Sequence, residues 1–373
     1  MSTFRDCQKF LSFVAECFVD KPVTVDRARL GRLAGGAEPR GGDRDEPPED
    51  AAPRGTGDEG AGPAEASPRG VGRRASSGHK EAYTLTNIYI YPVKSCAAFE
   101  VQDWPLGPLG LLHDRGWMVV NGNGVCLSQK RETRLCLVRP RVLLPSNELL
   151  LQAPGMETLS VPLEDETLGS DRVCQSKVCG DRVQAVDCGG AAASWLSHFL
   201  GQPCRLIRQS PDSIRDMKKR PSGAATSSPL SLVNEAQYLL ISRASVELLL
   251  TLTGSSQGGA AAERLLDTQN AIGRFRANLV IAGGEAFEED GRSHFVIGDT
   301  RFAVAGQCGR CQMIGVDQET GAKTKEPLTS LSAYREGKVT FGVYLTHEPP
   351  EGPGHAVRVL SAGSAVQPEP RGS

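Results

Sequence analysis

The sequence predicts a mixed, β-dominated (α+β) fold: two β-rich, barrel-like units with a few helices, preceded by a disordered linker. From residue 83 onwards, short runs of β-branched, aromatic and other apolar residues recur between turns rich in Pro, Gly, Asn and Asp. Turns that return every ~8–12 residues are typical of a barrel or a sandwich. Strong helical periodicity between strands, which a doubly wound parallel fold needs, is missing.

Composition limits the classes of protein that the chain can represent. Its 373 residues suffice for two ordinary domains, and its formal net charge of −2 provides no global basic field for nucleic acid. No apolar run approaches the ~18 residues of a membrane span, and the first residues lack the layout of a signal peptide. The 11 cysteines are odd in number and widely spaced, which favours free thiols in a reducing compartment. We therefore expect a cytoplasmic protein that binds neither nucleic acid nor membrane.

The apolar deficit is concentrated before residue 83. Between Gly31 and Lys80 there are 12 Gly, 6 Pro and 17 charged residues, and the only sizeable apolar residues are Leu33 and Val71. Burial of two side chains cannot offset an ordering entropy of roughly 1–2 kcal/mol per residue. We therefore predict a disordered linker over residues 23–82.

An amphipathic helix is predicted before this linker, in residues 1–22. Its apolar residues follow a 3-4-3-4 spacing, which places them on one helical face: Phe4, Cys7, Leu11, Val14 and Phe18. A short helix needs a surface on which to bury such a face. It either docks on the distant domain, pairs with another chain, or ends an upstream domain that this chain lacks.

The first β-rich unit is expected over residues 83–208, followed by a polar, basic loop over 209–228. Its helix is predicted at Ala191–Leu200, and Asn121 to Gly124 predict a hairpin between two of its strands. The predicted strands are Tyr83–Tyr91, Trp117–Val120, Val125–Ser128, Leu135–Val138, Val142–Leu144, Leu149–Leu151, Leu159–Val161, Arg172–Lys177, Arg182–Val186 and Cys204–Arg208.

The second unit is expected over residues 229–363, with a disordered tail over 364–373. Helices are predicted at Ser242–Leu252 and Leu328–Arg335. The predicted strands are Asn278–Ala282, His294–Ile297, Arg301–Ala305, Gln312–Val316, Val339–Leu345 and Ala356–Leu360.

The clearest chemical motif is the Cys308-Gly-Arg-Cys311 turn. Structural zinc needs four ligands, and no second Cys-x-x-Cys pair is present. Dithiol exchange usually uses a pair at a helix N-terminus, whereas a strand is predicted to follow here. Two partly buried cysteines of no chemical consequence are the plain alternative. Arg310 argues against it, because a guanidinium in such a turn favours a thiolate and can also grip an anion.

Other cationic side chains occur at strand ends and turns. Lys94 and Ser95 end the first strand, and Arg115 precedes the next one. Arg274 and Arg276 alternate, so both are expected on the same side of an extended segment. Each residue alone is more simply a solvated or structural cation. Together with a reactive thiol, they suit a phosphorylated ligand that carries a soft metal or sulfur atom.

Six motifs in this order resemble the family that joins a β-barrel-like N-terminal domain to a MOSC domain, the domain named for the molybdenum cofactor sulfurase C-terminus. They are Tyr91-Pro-Val-Lys94-Ser95-Cys96, Asp114-Arg115-Gly-Trp117, Phe275-Arg276-Ala-Asn278, Cys308-Gly-Arg-Cys311, Glu326-Pro327-Leu328 and Phe341-Gly-Val-Tyr344. Between the sulfurase branch and the amidoxime-reducing branch, three segments resemble the sulfurase branch: Leu127–Lys130, Ser231–Tyr238 and Arg310–Ile314.

The resemblance implies a site for molybdenum bound to molybdopterin. By it, Cys311 is the catalytic, metal-facing thiolate. The residues that it implies hold the pterin phosphate or line the pocket are Lys94, Ser95, Arg115, Arg276, Arg310 and Tyr344, with Asn234 and Asn278 as further cofactor-binding positions. Gly309 stands where the amidoxime-reducing branch has a serine, which removes one hydrogen bond to the cofactor. The role of Cys308, as a packed thiol or as a persulfide relay, stays open.

The resemblance also implies an activity and its partners. A sulfurase joins a pyridoxal-phosphate cysteine desulfurase to this cofactor-binding unit, and delivers the sulfido form of the cofactor to xanthine dehydrogenase and aldehyde oxidase. We expect this chain to be the cofactor-binding half, a sulfurtransferase unit without the desulfurase domain that holds pyridoxal phosphate and donates sulfur. Residues 1–22 would then be the remnant of that domain. A molybdenum-dependent N-reductase and a non-catalytic cofactor carrier are the alternatives.

Overall fold

The computed structural model describes residues 82–164, 173–178, 181–210, 229–256, 267–348 and 357–371, which all lie in one compact unit. The predicted helix in 1–22, the linker before residue 82 and the basic loop beyond residue 210 lie outside the described residues. Residues 82–210 are called the N-terminal half below, and residues 229–371 the C-terminal half.

The N-terminal half is built almost entirely of strands. Its one α-helix in the described part is α1, Gly190–Leu200. The strands are β1 (Thr84–Ile90), β2 (Val93–Lys94), β3 (Phe99–Val101), β4 (Asp103–Gly107), β5 (Gly110–Leu111), β6 (Trp117–Asn121), β7 (Arg139–Leu143), β8 (Glu148–Gln152), β9 (Leu159–Pro162), β10 (Val173–Val178), β11 (Asp181–Asp187) and β12 (Cys204–Gln209).

The C-terminal half mixes strands with short helices. Its strands are β13 (Tyr238–Ser242), β14 (Leu279–Ala282), β15 (Arg292–Ile297), β16 (Thr300–Gly309), β17 (Thr340–His347), β18 (Val359–Ser361) and β19 (Val366–Pro370). Its α-helices in the described part are α2 (Arg243–Ser256), α3 (Thr268–Phe275) and α4 (Leu328–Tyr334). The strand-dominated fold class predicted from the sequence is therefore confirmed.

The largest sheet joins the two halves. It is a curled half-barrel of eight strands in the order β19-β15-β16-β17-β13-β14-β1-β3. Strand β1 pairs antiparallel with β14, with Ile88 opposite Leu279, and β14 runs parallel to β13. Because β1 and β3 complete a sheet made otherwise by the C-terminal half, the apolar core beneath it contains side chains from both halves.

Smaller sheets complete the N-terminal half. Five strands pair in the order β10-β11-β12-β6-β2, and the three strands β7, β8 and β9 form an antiparallel meander. The parallel pairing of β2 with β6 sets Val93 opposite Trp117 and Lys94 opposite Met118. The loop before β6 therefore lies beside the residues that precede β2: the Arg115 amide donates to the Tyr91 carbonyl oxygen at 2.8 Å.

Two predicted strands are short 3-10 helices instead. Thr133–Leu137 replaces the predicted strand Leu135–Val138, and the Glu132 side chain caps it by accepting from the Arg134 amide at 3.3 Å. Gln312–Gly315 replaces the predicted strand Gln312–Val316. In both segments the apolar run marks burial, and a single helical turn buries such a run as well as a strand does.

The predicted disordered tail, residues 364–373, is also wrong in part, because Val366–Pro370 forms β19. This strand pairs antiparallel with β15 at the edge of the large sheet, and Val366 is buried against the core. Proline is tolerated in an edge strand because its missing N–H can face away from the ladder. The burial of Val366 and the pairing with β15 thus order this segment, although its proline-rich composition predicts disorder.

Candidate functional site

A cavity of about 410 Å³ lies between the N-terminal and C-terminal halves. The loops after β2 and before β6 form one wall, the end of α3 and the turn after β16 form another, and Tyr344 of β17 faces the same space. All nine predicted site residues line this cavity: Lys94, Ser95, Arg115, Asn234, Arg276, Asn278, Arg310, Cys311 and Tyr344.

Two arginines, one from each half, share an aromatic platform. The guanidinium carbons of Arg115 and Arg276 lie 4.2 Å and 4.5 Å from the ring centroid of Tyr91. Arg115 Nη2 also donates to the carbonyl oxygen of Arg276 at 3.0 Å. A ring face attracts a guanidinium, so the buried Tyr91 holds two like charges in one place. Tyr91 belongs to the first sequence motif, but its role was not foreseen.

A buried carboxylate balances part of this charge. Asp114 is 4% exposed, forms an ion pair with Arg115 and accepts from the Tyr91 amide at 2.8 Å. Burial raises the pKa of this carboxyl, while Arg115 acts in the opposite direction. Asp114 was not among the predicted site residues, although its position immediately before Arg115 was a usable signal. Its effect is to fix the direction of the Arg115 side chain.

Three cavity residues have a left-handed backbone. The φ angles are +68° at Ser95, +49° at Arg115 and +56° at Arg276. Residues with a Cβ adopt this region at a cost of order 1–3 kcal/mol, and such positions cluster at ligand-binding sites. The hydrogen bonds Arg115 N to Tyr91 O (2.8 Å) and Arg276 N to Gly273 O (3.2 Å) hold two of them. The fold therefore maintains local strain where these side chains enter the cavity.

Lys94 and Asn234, predicted as separate ligands, contact each other. Lys94 Nζ donates to Asn234 Oδ1 at 2.6 Å and to the Leu232 carbonyl oxygen at 2.8 Å. Both acceptors lie in the segment that precedes β13, so the contact crosses between the halves. The amide and the carbonyl orient the ammonium group without neutralising its charge.

The expectation that Arg274 and Arg276 lie on the same side of an extended segment is wrong. Arg274 lies within α3 and is 3% exposed, with Nη2 2.9 Å from Asp317 Oδ2. It also donates to Thr324 Oγ1 at 2.9 Å. Arg276 is the left-handed residue that ends α3, and both arginines line the cavity. Arg274 therefore braces the fold, while Arg276 points its charge toward Tyr91.

Asn278 lines the cavity, but its amide is engaged with the neighbouring strands. Its Nδ2 donates to the Tyr89 carbonyl oxygen at 3.1 Å, and its Oδ1 accepts from the Leu239 amide at 3.3 Å. Tyr89 belongs to β1 and Leu239 to β13, so Asn278 links these strands at the point where β14 begins. Its contribution to the cavity is to position the neighbouring backbone.

Arg310 contacts Cys308, the first cysteine of the turn. Its Nη1 donates to Cys308 Sγ at 2.9 Å, and its Nη2 donates to the Phe275 carbonyl oxygen at 2.6 Å. Its buried Nε has no hydrogen-bond partner among the described residues. Cys308 is 3% exposed, whereas Cys311 is exposed at the start of the following 3-10 helix. The guanidinium of Arg310 therefore contacts the buried thiol of the turn, Cys308.

Tyr344 lies beside the same sulfur. Burial, followed by the neighbouring Cys308, raises the pKa of the Tyr344 hydroxyl well above its usual value. The hydroxyl therefore stays protonated over the physiological range and can donate a hydrogen bond. The buried thiol of Cys308 thus accepts from Arg310 at 2.9 Å, donates to the Gly309 carbonyl oxygen at 3.8 Å, and has Tyr344 as a neighbour.

A pair of glutamines that were not among the predicted site residues links the two halves beside the site. The buried Gln129 donates to the Ser95 carbonyl oxygen at 2.7 Å and to Gln318 Oε1 at 3.1 Å. Gln318 Nε2 in turn donates to Gln129 Oε1 at 3.1 Å. This pair connects the loop after β2 to the loop that follows the Cys308–Cys311 turn, across the two halves.

Two general features of the described residues bear on the class of site. They contain no group of three or more His, Cys, Asp or Glu side chains placed to hold a metal ion. No helix among them is both long enough and apolar enough to cross a membrane.

Comparison with known families defines the class of protein. Residues 82–203 match the MOSC N-terminal beta barrel domain, and residues 227–368 match the MOSC domain. The eight-stranded half-barrel and the cavity between the halves are therefore those of a two-domain MOSC protein.

Curated relatives identify the branch. The chain is 52% identical over 374 residues to molybdenum cofactor sulfurase of Danio rerio, across 99% of this chain and 43% of that protein. The Bos taurus sulfurase is 50% identical across 72% of this chain and 31% of its own length, and the Homo sapiens sulfurase is 50% identical across 71% and 30%. The chain belongs to the molybdenum cofactor sulfurase family. It spans less than half the length of these relatives.

Proposed function

We propose that the cavity binds the molybdenum–molybdopterin cofactor, and that the chain is the cofactor-binding half of a sulfurtransferase. The observation that carries this proposal is the convergence of four cationic side chains and one exposed thiol on a single cavity. They come from distant parts of the chain: Lys94, Arg115, Arg276, Arg310 and Cys311.

The chemistry of these groups fits a phosphorylated pterin that carries a soft metal. Arginine guanidinium groups bind phosphate through charge-assisted, bidentate hydrogen bonds. The buried, unpartnered Nε of Arg310 is a donor that a ligand in the cavity could satisfy. The exposed thiol of Cys311 is the ligand type that a soft metal prefers. The bound cofactor would supply a molybdenum centre whose terminal ligand is exchanged.

The residues of the chain would bind and orient this ligand. Arg115 and Arg276, held over Tyr91, would bind the phosphate dianion, and Lys94 would add a third charge from the position that Asn234 sets. Cys311 would supply the thiol that faces the metal. Since Asn278 and Asp114 are engaged with protein groups, their role would be to position the others.

The family name implies a role with molybdoenzymes. The particular sulfur donor and recipient enzymes are part of the proposal. The sulfur donor would be a cysteine desulfurase domain that uses pyridoxal phosphate, located outside this chain. The recipients of the sulfido cofactor would be xanthine dehydrogenase and aldehyde oxidase, and the reaction would take place in the cytoplasm. On this proposal, the chain alone does not release sulfur from cysteine.

Cofactor content tests the binding proposal directly. The chain is purified from a host that makes molybdenum cofactor, and molybdenum and pterin are measured per protein. We expect near-stoichiometric amounts of both, and background amounts in protein from a host that cannot make pterin. Background amounts from the competent host would overturn the proposal.

Separate experiments test the role of Cys311, the need for a separate desulfurase and the N-reductase alternative. We expect Cys311→Ala to keep pterin, held through the phosphate, and to lose sulfur transfer; unimpaired transfer would contradict a metal-facing role. The chain with cysteine and pyridoxal phosphate should form no alanine, and sustained alanine formation would overturn the need for a separate desulfurase. Reduction of an N-hydroxylated substrate by the loaded chain with an electron-transfer chain would instead assign an N-reductase.

A further inference from the structure

Glu235 is the only residue with a carboxylate among the described residues that line the cavity. It lies in the segment just before β13 and is exposed. It makes no hydrogen bond or ion pair with any other residue that the structure describes. Its two oxygens are therefore open to a ligand. The other charged residues that line the cavity are all cations: Lys94, Arg115, Lys130, Arg274, Arg276 and Arg310.

The surroundings of Glu235 place it within the site rather than on a remote surface. Burial, then Cys308 and then Glu235 raise the pKa of the Tyr344 hydroxyl, so the charge of the carboxylate reaches that side chain. The preceding residue, Asn234, accepts from Lys94 at 2.6 Å. Glu235 thus belongs to the group of side chains that would meet the cofactor.

The chemistry of a carboxylate differs from that of the rest of the cavity. A phosphate gains nothing from Glu235, because like charges repel each other. An ionised carboxylate only accepts hydrogen bonds, so its partner must be a ligand group with N–H or O–H donors. The amide oxygens of Asn234 and Asn278 already accept from Lys94 and from the Leu239 amide. Glu235 is therefore the strong acceptor that the cavity offers to such donors.

The ring of a pterin carries a matching pair of donors. Its exocyclic amino group and the neighbouring ring N–H point in the same direction, as the two N–H groups of a guanidinium fork do. A carboxylate accepts both donors of such a fork, and its charge strengthens the two hydrogen bonds. The phosphate of the ligand has no comparable donors.

We propose that Glu235 recognises the pterin ring by accepting hydrogen bonds from its exocyclic amino group and the neighbouring ring N–H. The inference rests on the proposed function and divides the ligand between two sets of side chains. The cationic side chains bind the phosphate, and Glu235 selects the ring. The site then discriminates among phosphorylated ligands by the donors on their ring edge.

Two related ring compounds test this selection in the whole chain, purified without ligand from a host that cannot make pterin. One is the phosphate ester of a hydroxymethyl pterin. The other is the matching lumazine phosphate, in which a carbonyl oxygen replaces the exocyclic amino group. Ring fluorescence gives the Kd of each. The pterin phosphate should bind about ten- to hundred-fold more tightly, because the lumazine oxygen would face the carboxylate without a donor. Equal affinities would overturn the proposal.

Glu235→Gln should change which ring is preferred. The amide of glutamine keeps the shape of the side chain but presents one acceptor and one donor. That pair matches the ring N–H and the carbonyl oxygen of the lumazine. The variant should bind the pterin phosphate about ten- to hundred-fold less tightly and should lose or reverse the preference of the wild-type chain. A preference that stays unchanged would contradict recognition by Glu235.

Inorganic phosphate separates recognition of the ring from a general effect on the fold or the charge. Because Glu235→Gln removes a negative charge from the cavity, phosphate should compete for the site as well as before or better. Equal weakening of phosphate and pterin phosphate would overturn the proposal. Glu319→Gln is the matched control, since Glu319 is an exposed carboxylate outside the cavity lining. It should change neither Kd.

Failure of this inference can be distinguished from failure of the proposed function. A wild-type chain that carries pterin from the competent host, and whose ring preference is the same in Glu235→Gln, keeps the proposed function and loses this inference. A wild-type chain that carries no pterin and binds neither ring compound loses both.

Discussion

Arg115 Nη2 donates a hydrogen bond to the main-chain carbonyl of Arg276 at 3.0 Å, which ties a cation of one half to the residue that bears a cation of the other. Both guanidinium groups lie over Tyr91, and both residues have positive φ angles. The placement of these two cations thus depends on the docking of the two halves. Arg115 and Arg276 therefore each combine a positive charge with a strained backbone. Substitutions can test the effect of the charge separately from the effect of the strain.

Arg276→Gly should weaken cofactor retention while sparing the fold. Glycine accepts the left-handed backbone of residue 276 without strain, so the free energy of unfolding should change by less than about 1 kcal/mol. Loss of charge-assisted hydrogen bonds to phosphate should lower retention about ten- to hundred-fold. Pterin fluorescence after stepwise dilution and denaturant unfolding measure the two effects. Arg276→Ala is the matched variant: it should lose retention equally but be less stable than Arg276→Gly. Undiminished retention in both variants would remove Arg276 from the binding site.

Arg274→Ala should destabilise the protein. Arg274 is 3% exposed and pairs with Asp317 at 2.9 Å, so its removal leaves a carboxylate that is 20% exposed with neutral hydrogen-bond donors only. A loss of about 3 kcal/mol is expected in denaturant unfolding. Arg243→Ala is the control, because that arginine forms an exposed pair with Glu247 and should cost less than about 0.5 kcal/mol. Equal, small losses in both variants would show that the buried pair does not brace α3.

Glu289 should make stability depend on pH near neutrality. The side chain is 3% exposed, and burial raises its pKa from 4.5 to about 7. Because the folded protein binds the proton more tightly, this contribution to stability is fully present below about pH 4.5 and is lost as pH rises through about 7. Glu289→Gln, which keeps a partner for Ser245, should raise stability at pH 8 by roughly 1–3 kcal/mol and leave it nearly unchanged at pH 4.5. Denaturant unfolding at both pH values measures the change, and an equal effect at the two would contradict the raised pKa.

Gly342→Ala should strain the strand that carries Tyr344. Gly342 has a φ of +74°, and an added Cβ would lie 2.6 Å from the Leu240 carbonyl oxygen. Left-handed strain of roughly 1–2 kcal/mol and overpacking of roughly 1–3 kcal/mol should add to a loss of at least about 2 kcal/mol. Gly337→Ala is the control, because its φ is +83° but no atom lies within 4 Å of the added Cβ. Thermal unfolding of the two variants should differ by the overpacking alone, and equal losses would contradict the close approach.

The sequence alone determined the β-rich class, because alternating apolar residues and turn residues act locally and along the chain. It also pointed to the cavity residues, since ordered motifs such as Asp114-Arg115 and Phe275-Arg276 can be recognised in the sequence without knowledge of their contacts. The element boundaries were less secure where one apolar turn suited either a strand or a 3-10 helix, as at residues 312–315. The composition of residues 366–370 likewise concealed a strand that exists only because β15 offers it an edge.

Only the tertiary structure decided which side chains meet. Arg274 lies within α3 and Arg276 is the left-handed residue that ends it, and the turn after β16 directs Arg310 to Cys308. Tyr91 contacts two guanidinium groups because β1, which precedes it, pairs with the sheet of the C-terminal half. Local pattern sets how strongly a residue prefers to be buried, but the direction of a side chain depends on backbone dihedral angles and long-range pairing. Those are properties of the folded chain as a whole.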